Sequence, residues 1–255
     1  MDLLRHLQYT KFKVRGSILN TLVANDIELI FHIAPLHYLP FIARSRSLKS
    51  KTTLRDEGFG EAHFRSKSKK LDVHRGFGDY IHLSTVDRPP ILDAKLSGGF
   101  PHICLSVPTT SLNGIDFDLC RYNVAMCRQL RRDGKPGFTE GPANGWYYDD
   151  NQIPIARTER EQGQLIRSRN GEMLEVLVKP PLALPNNTQV SVFDGRDHEV
   201  ALEILERLNI PWTVSLANDS NYTALPEYSE ACIQFIQNSL QNELWKGNGL
   251  EFDRV

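Results

Sequence analysis

The chain has 255 residues, 40% of them hydrophobic and 24% charged, enough to bury a full core and too balanced for disorder, a collagen repeat or a coiled coil. Charges interrupt every apolar run, so none approaches the roughly 18 residues of a membrane-crossing helix. Met1-Asp2-Leu3-Leu4-Arg5 also lacks the basic and then apolar layout of a secretory signal, so a cytoplasmic protein with no membrane association is expected. The net charge of −1 hides an asymmetry. Residues 194–255 hold 11 acids and 4 bases, net −7, which leaves 26 bases and 20 acids, net +6, in residues 1–193. Clustered Lys and Arg suit a polyanionic partner, although a solvated, acidic C-terminal helix alone would give the same split.

In chain order, residues 2–24 alternate apolar and polar groups at helical spacing, an N-terminal helical segment within 1–27. Glu28-Leu29-Ile30-Phe31-His32-Ile33 reads as a buried strand, and Leu36, Leu39, Ile42 and Ala43 space out a short helix ending near Arg44. A basic, Ser-rich stretch from Arg44 to Lys70 reads as loop with one short element. Strands follow at Gly78–Ser84 and Phe100–Val107, the second stopped by Pro108. Residues 117–132 suit a helix or an irregular connection.

Residues 134–170, rich in Gly, Pro, Asn and Asp, read as a long loop with some helix around 156–166. Strands are expected at 173–178, 188–193 and 212–216, and helices at 196–208 and 228–245 within an acidic part spanning 194–255. The expected fold class is mixed α/β (α+β), a single domain over 1–255 with a central mixed sheet, flanking helices and long loops.

Common chemical motifs are absent. There is no phosphate-binding glycine loop, no G-x-S-x-G and no H-E-x-x-H. Cys104, Cys120, Cys127 and Cys232 never form C-x-x-C and read as reduced thiols, so no metal is expected. Three pieces remain. Phe31-His32-Ile33-Ala34 closes a strand and leads to Leu39-Pro40-Phe41-Ile42. Asp79-Tyr80-Ile81-His82-Leu83-Ser84 forms the next strand. Glu175-Val176-Leu177-Val178 opens a strand after the long loop.

Over roughly residues 29–216 these pieces resemble, in order and spacing, the DarT family of DNA ADP-ribosyltransferase toxins. That family carries a His-Ile-Thr strand, a Leu-Pro-x-Ile-Leu helix, an Asp-Tyr-[Val/Ile] strand and a late Glu-x-Leu-Val strand with the catalytic glutamate. Ala34 stands where the family has Thr or Ser. His82-Leu83-Ser84 replaces the Pro-Phe-Tyr-Phe of its thymidine-modifying branch, as in a divergent branch.

The resemblance implies an ADP-ribosyltransferase-like fold and a mono-ADP-ribosyltransferase that consumes NAD and needs no metal. It further implies single-stranded DNA as substrate, with guanine favoured, and a toxin paired with a macrodomain antitoxin. A monomer is expected. Transfer to RNA or protein, and a silent nucleic-acid-binding module, are the alternatives. Glu175 is the implied catalytic residue, because a carboxylate bonding the ribose 2′-hydroxyl stabilises the cation left when nicotinamide departs. Glu172 is its rival, and the Glu-x-Leu-Val context favours Glu175.

Arg65 is implied as the functional arginine, with Arg75 and Lys70 as competitors; a planar guanidinium pairs well with phosphate. His32, Ile33, Ala34, Phe41 and Tyr80 are the implied NAD contacts, although a histidine placed like His32 is as readily a core residue bonded to a carbonyl. Trp146, Tyr147 and Arg157 belong to the long loop, where aromatics interleaved with bases suit the stacking and backbone tracking of single strands.

Overall fold

A computed structural model of the chain describes residues 18–58, 77–121, 128–129, 147–148, 155–169, 171–217, 222 and 224–242. Helix α1 is described over 18–23. Strand β1 (Leu29–Pro35) leads through a 3-10 turn (Leu36–Tyr38) into α2 (Leu39–Ser45), whose Pro40 supplies a preset helical φ in the first turn. Arg46, in the left-handed region at φ 46°, ends α2 and turns the chain into β2 (Ser47–Leu48). Next comes α3 (Lys51–Asp56), capped by the Ser50 hydroxyl accepting from Thr53 N at 3.1 Å. The chain continues through β3 (Ile81–Ser84), α4 (Pro90–Leu96), β4 (His102–Pro108), a 3-10 turn (Thr109–Leu112) and β5 (Phe117–Cys120).

Two short strands, β6 (Arg128–Gln129) and β7 (Tyr147–Tyr148), pair in parallel. Strand β8 (Ile155–Ala156) precedes α5 (Glu159–Arg167), which begins in a reciprocal capping box between Thr158 and Glu161. The last part comprises β9 (Glu175–Val178), β10 (Leu182–Ala183), β11 (Gln189–Val192), α6 (Gly195–Arg207), β12 (Thr213–Leu216) and α7 (Pro226–Asn242). Asp194 caps α6 by accepting from Arg196 N at 2.8 Å.

One expectation needs correcting, and one segment without an expectation proves helical. Residues 117–120 form a strand rather than the start of a helix or an irregular connection, because Phe117–Cys120 pairs along its whole length with β9. The segment between the strands at 81 and 102 carries a helix, α4, started by Pro90.

Eight strands form one mixed sheet in the order β12-β11-β4-β1-β3-β9-β5-β8. Every neighbouring pair is antiparallel except β11 and β12, which run parallel and are joined through α6. The fold class is therefore mixed α/β, a large central sheet flanked by helices.

Residues directly opposite on neighbouring strands share a face, and successive residues alternate. One face carries Ile30, Ala34, Leu83, Ile103, Leu105, Leu119, Val176, Val178 and Val190, all buried in the main core with Ala201, Ile204 and Leu205 of α6. On the other face, Cys104, Phe31 and Ile33 pack against Leu92 and Leu96 of α4. Farther along that face, under β3, β9 and β5, the apolar cover is a small group built on Phe77, Cys120 and Leu177, with Tyr80 and Ile155 packed beside it. Polar side chains gather on this second half. Among the described residues, no helix is long and apolar enough to cross a membrane.

Candidate functional site

The sheet is weakest between β1 and β3. A single pair, Phe31↔Ser84, joins them, whereas β1 and β4 pair from Leu29↔Pro108 through Pro35↔His102. Where the ladder stops, a side chain takes over, for the His32 Nδ1–H donates to the His82 carbonyl oxygen at 3.0 Å. Burial, with the nearby charges of His82 and Lys51 adding to it, pushes the His32 imidazole down to about 4. At neutral pH His32 is therefore uncharged, and its Nε2 is an acceptor.

Glu175 lies one strand beyond this split, on β9. It pairs with Ser84 on one side and Cys120 on the other, at the start of a strand whose four residues are all buried. The residue is 3% exposed, and a carboxylate so placed needs a partner. His82 supplies it, with Nδ1 3.0 Å from Glu175 Oε1. The second ring nitrogen, Nε2, lies 3.1 Å from the Phe77 carbonyl oxygen. A carbonyl only accepts, so Nε2 carries a proton, and the contact at Nδ1 requires one more between histidine and carboxylate. The pair holds that bridging proton whether it sits on nitrogen or on oxygen, and the imidazole is clamped from both ends.

Around the pair lie further polar groups. Tyr80 is two residues before His82; its ring is 5.4 Å from that of Phe77, with the Lys179 ammonium 6.0 Å from its centre. The Thr52 hydroxyl of α3 donates to the Gly78 carbonyl at 3.3 Å, docking that helix on the turn that leads into β3. Asp118 shares the face with His82, separated from it by Leu177. Burial raises its carboxyl above the usual range, an effect that Arg157 and Lys179 oppose and Asp116 reinforces.

No family model matches the chain, and no curated protein matches it. The solved structures it resembles include structures of DarT. Thermus sp. 2.9 DarT in complex with ADP-ribosylated ssDNA aligns at 15% identity over 77% of this chain and 97% of that one, with a TM-score of 0.49. The same protein with carba-NAD+ aligns at 18% identity over 77% and 98%, TM-score 0.47, and with NAD+ at 15% over 74% and 96%, TM-score 0.45.

Of the residues singled out in the sequence, Tyr80 and Glu175 lie on the face of β3 and β9 that bears His82, whereas His32 stands on the opposite face with Ile30 and Ala34 and reaches β3 through its bond to the His82 backbone carbonyl. Ile33 packs under α4 and Ala34 lies in the main core, so their side chains face away from one another while their backbone flanks the split. Phe41 lies in a different aromatic group, with ring centres 6.4 Å from both Tyr38 and Phe235. Arg157 is exposed beyond β8, with its charge near Asp118. Glu172 is also exposed, and its carboxylate is 3.8 Å from Arg121 Nε.

Tyr147 contributes its backbone to β7, opposite Arg128. Arg65, its competitors Lys70 and Arg75, and Trp146 lie outside the described residues. Sequence reasoning assigned no role to His82 or Asp118. The alternation Tyr80-x-His82 on a strand was the signal for the first; the second had none, since the strand carrying it was not expected.

Proposed function

We propose that the protein is an NAD-consuming mono-ADP-ribosyltransferase that modifies guanine in single-stranded DNA. The observation that supports this most is the buried Glu175 carboxylate held by His82 beside the split between β1 and β3. A carboxylate excluded from water and fixed by a neighbour is preorganised to stabilise positive charge, and it costs no reorganisation as that charge develops. The motif resemblance of β1, β3 and β9 supplies the reaction. NAD lies along the split, with His32 accepting through Nε2 and donating through Nδ1 to the sheet itself.

The bond between nicotinamide and ribose C1′ breaks, and nicotinamide leaves as a neutral molecule with the electron pair. Glu175 hydrogen-bonds the ribose 2′-hydroxyl and stabilises the oxocarbenium-like state. The exocyclic amine of the base attacks C1′, a carbon–nitrogen bond forms, and the proton lost by the amine passes to the Glu175 carboxylate and on to water. His82 keeps that carboxylate in one orientation and shares its proton.

Unpaired strands are the expected substrate because extruding a base from a duplex costs a few kcal/mol, and the basic first three quarters of the chain suit a phosphate backbone. In this reading the protein acts in the cytoplasm as a toxin, and a macrodomain antitoxin reverses the modification. Mass spectrometry of oligonucleotides incubated with protein and NAD tests it. An added ADP-ribose on guanine-containing single strands, lost when the complement is annealed and weakened by salt, is the expected outcome. Modification of RNA or protein but not DNA would refute the substrate, and no cleavage of NAD at all would refute the enzyme.

A further inference from the structure

The face of the sheet that bears Glu175 carries a second carboxylate. Along it, Ser84, Glu175 and Cys120 stand abreast, and the next row is His82, Leu177 and Asp118. Asp118 is thus the diagonal neighbour of Glu175, a separation of roughly 7–8 Å between residues in an antiparallel sheet. It is half-buried, and among the described residues no group hydrogen-bonds to its carboxylate. Burial raises its carboxyl above the usual range, with Asp116 adding to the effect and the charges of Arg157 and Lys179 opposing it, and its oxygens accept hydrogen bonds. Tyr80, on the same face two residues from His82, offers a ring beside this strip, and Lys179 approaches that ring.

A carboxylate held within one base-width of the reacting centre discriminates between bases by what lies next to the nucleophilic amine. In guanine the neighbour of the 2-amine is N1–H, a donor. In adenine and cytosine the neighbour of the amine is a ring nitrogen lone pair, which a carboxylate repels.

We infer that Asp118 is the specificity determinant of the transfer, its carboxylate accepting the N1–H of guanine while the 2-amine lies at Glu175. The inference rests on the base-modifying reading above. No bond to Asp118 forms or breaks; it contacts the base and sets which base is held in position.

The test uses single-stranded oligonucleotides carrying one guanine or one 2-aminopurine, which keeps the 2-amine but has a lone pair at N1. Wild-type and Asp118→Asn proteins are compared, with NAD hydrolysis by water measured on the same preparations and agmatine as a guanidinium acceptor. Wild type should prefer guanine on the order of 10–100-fold, the range for a hydrogen bond to a charged group. In Asp118→Asn, transfer to guanine should fall by a similar factor relative to NAD hydrolysis. The preference should level or reverse, because the carboxamide can donate to N1.

An unchanged guanine preference in Asp118→Asn, or equal losses on both bases, would overturn the role of Asp118 and leave the base-modifying reading standing. Transfer by the wild type to agmatine and to no oligonucleotide would overturn both.

Discussion

Glutamine at position 175 separates chemistry from stability. In Glu175→Gln the carboxamide keeps the size of the carboxylate, and its N–H can donate to Nδ1 of a neutral His82, whose Nε2–H stays on the Phe77 carbonyl. The 3.0 Å contact therefore survives as a neutral hydrogen bond, roughly half as strong as the charge-assisted one. The loss is on the order of 1 kcal/mol, partly offset because a charge no longer has to be buried. For a chain of this size that moves the melting temperature by only about 2–4 °C.

Removing a preorganised transition-state partner costs far more, about 10²–10³ in rate or roughly 2.7–4 kcal/mol. Nicotinamide release gives the rate, and melting followed by circular dichroism gives the stability. Retention of most of the wild-type rate would refute the role of Glu175, and a melting drop of about 10 °C or more would mean that the lost rate reflects unfolding. Glu172→Gln provides the contrast. That residue is exposed and loosely paired with Arg121, so the change should leave the rate intact and cost at most about 1 kcal/mol.

His82→Ala should lower stability by on the order of 2–4 kcal/mol, somewhat less than breaking a wholly buried pair because a quarter of the His82 side chain is exposed; adding Glu175→Leu should recover part of it, and denaturant titrations showing no recovery would disprove the coupling. His32 and His102 are both pushed down to about 4 by burial, so the unfolded chain binds more protons between pH 6.5 and 4 and stability must fall as pH drops through that window.

Asp197, pushed up to about 7 by burial with help from Asp194, acts in the opposite sense, so Asp197→Asn should steepen the decline between pH 7 and 4; parallel stability curves would refute this. Gly99→Ala should cost about 1–2 kcal/mol, because φ is +70° there and the new Cβ would lie 2.6 Å from Leu225, and an unchanged melting temperature would contradict the close packing.

The strands with apolar, β-branched runs were readable from the residues alone: β1, β4, β9 and β11 lie within a few positions of expectation, as do α6 and α7. Their composition carries the pattern, and burial on one or both faces follows from it. Phe117–Cys120 was not readable, because a four-residue segment holding an aspartate has little strand character of its own and is extended only because β9 lies beside it.

The same distinction governs the site. Glu175 stood out as a charge opening an apolar strand, and His32 as a polar residue within one. The partnership of His82 with Glu175 spans 93 positions, and the neighbourhood of Asp118 depends on a strand order that no local pattern encodes.

A sheet fastened across its middle by one ladder pair and one imidazole has a built-in seam. On one side β12, β11, β4 and β1 form a continuously paired block; on the other, β3, β9, β5 and β8 form a second. Shear between the blocks breaks few hydrogen bonds, so they can part slightly without either one unravelling. In hydrogen-exchange labelling, amides of Phe31–Ala34 and Ile81–Ser84 that face the seam should open at lower cost than those between β1 and β4. A dinucleotide bound along the seam would tie the two blocks together and slow that exchange, which would make the seam a hinge that closes on its own substrate.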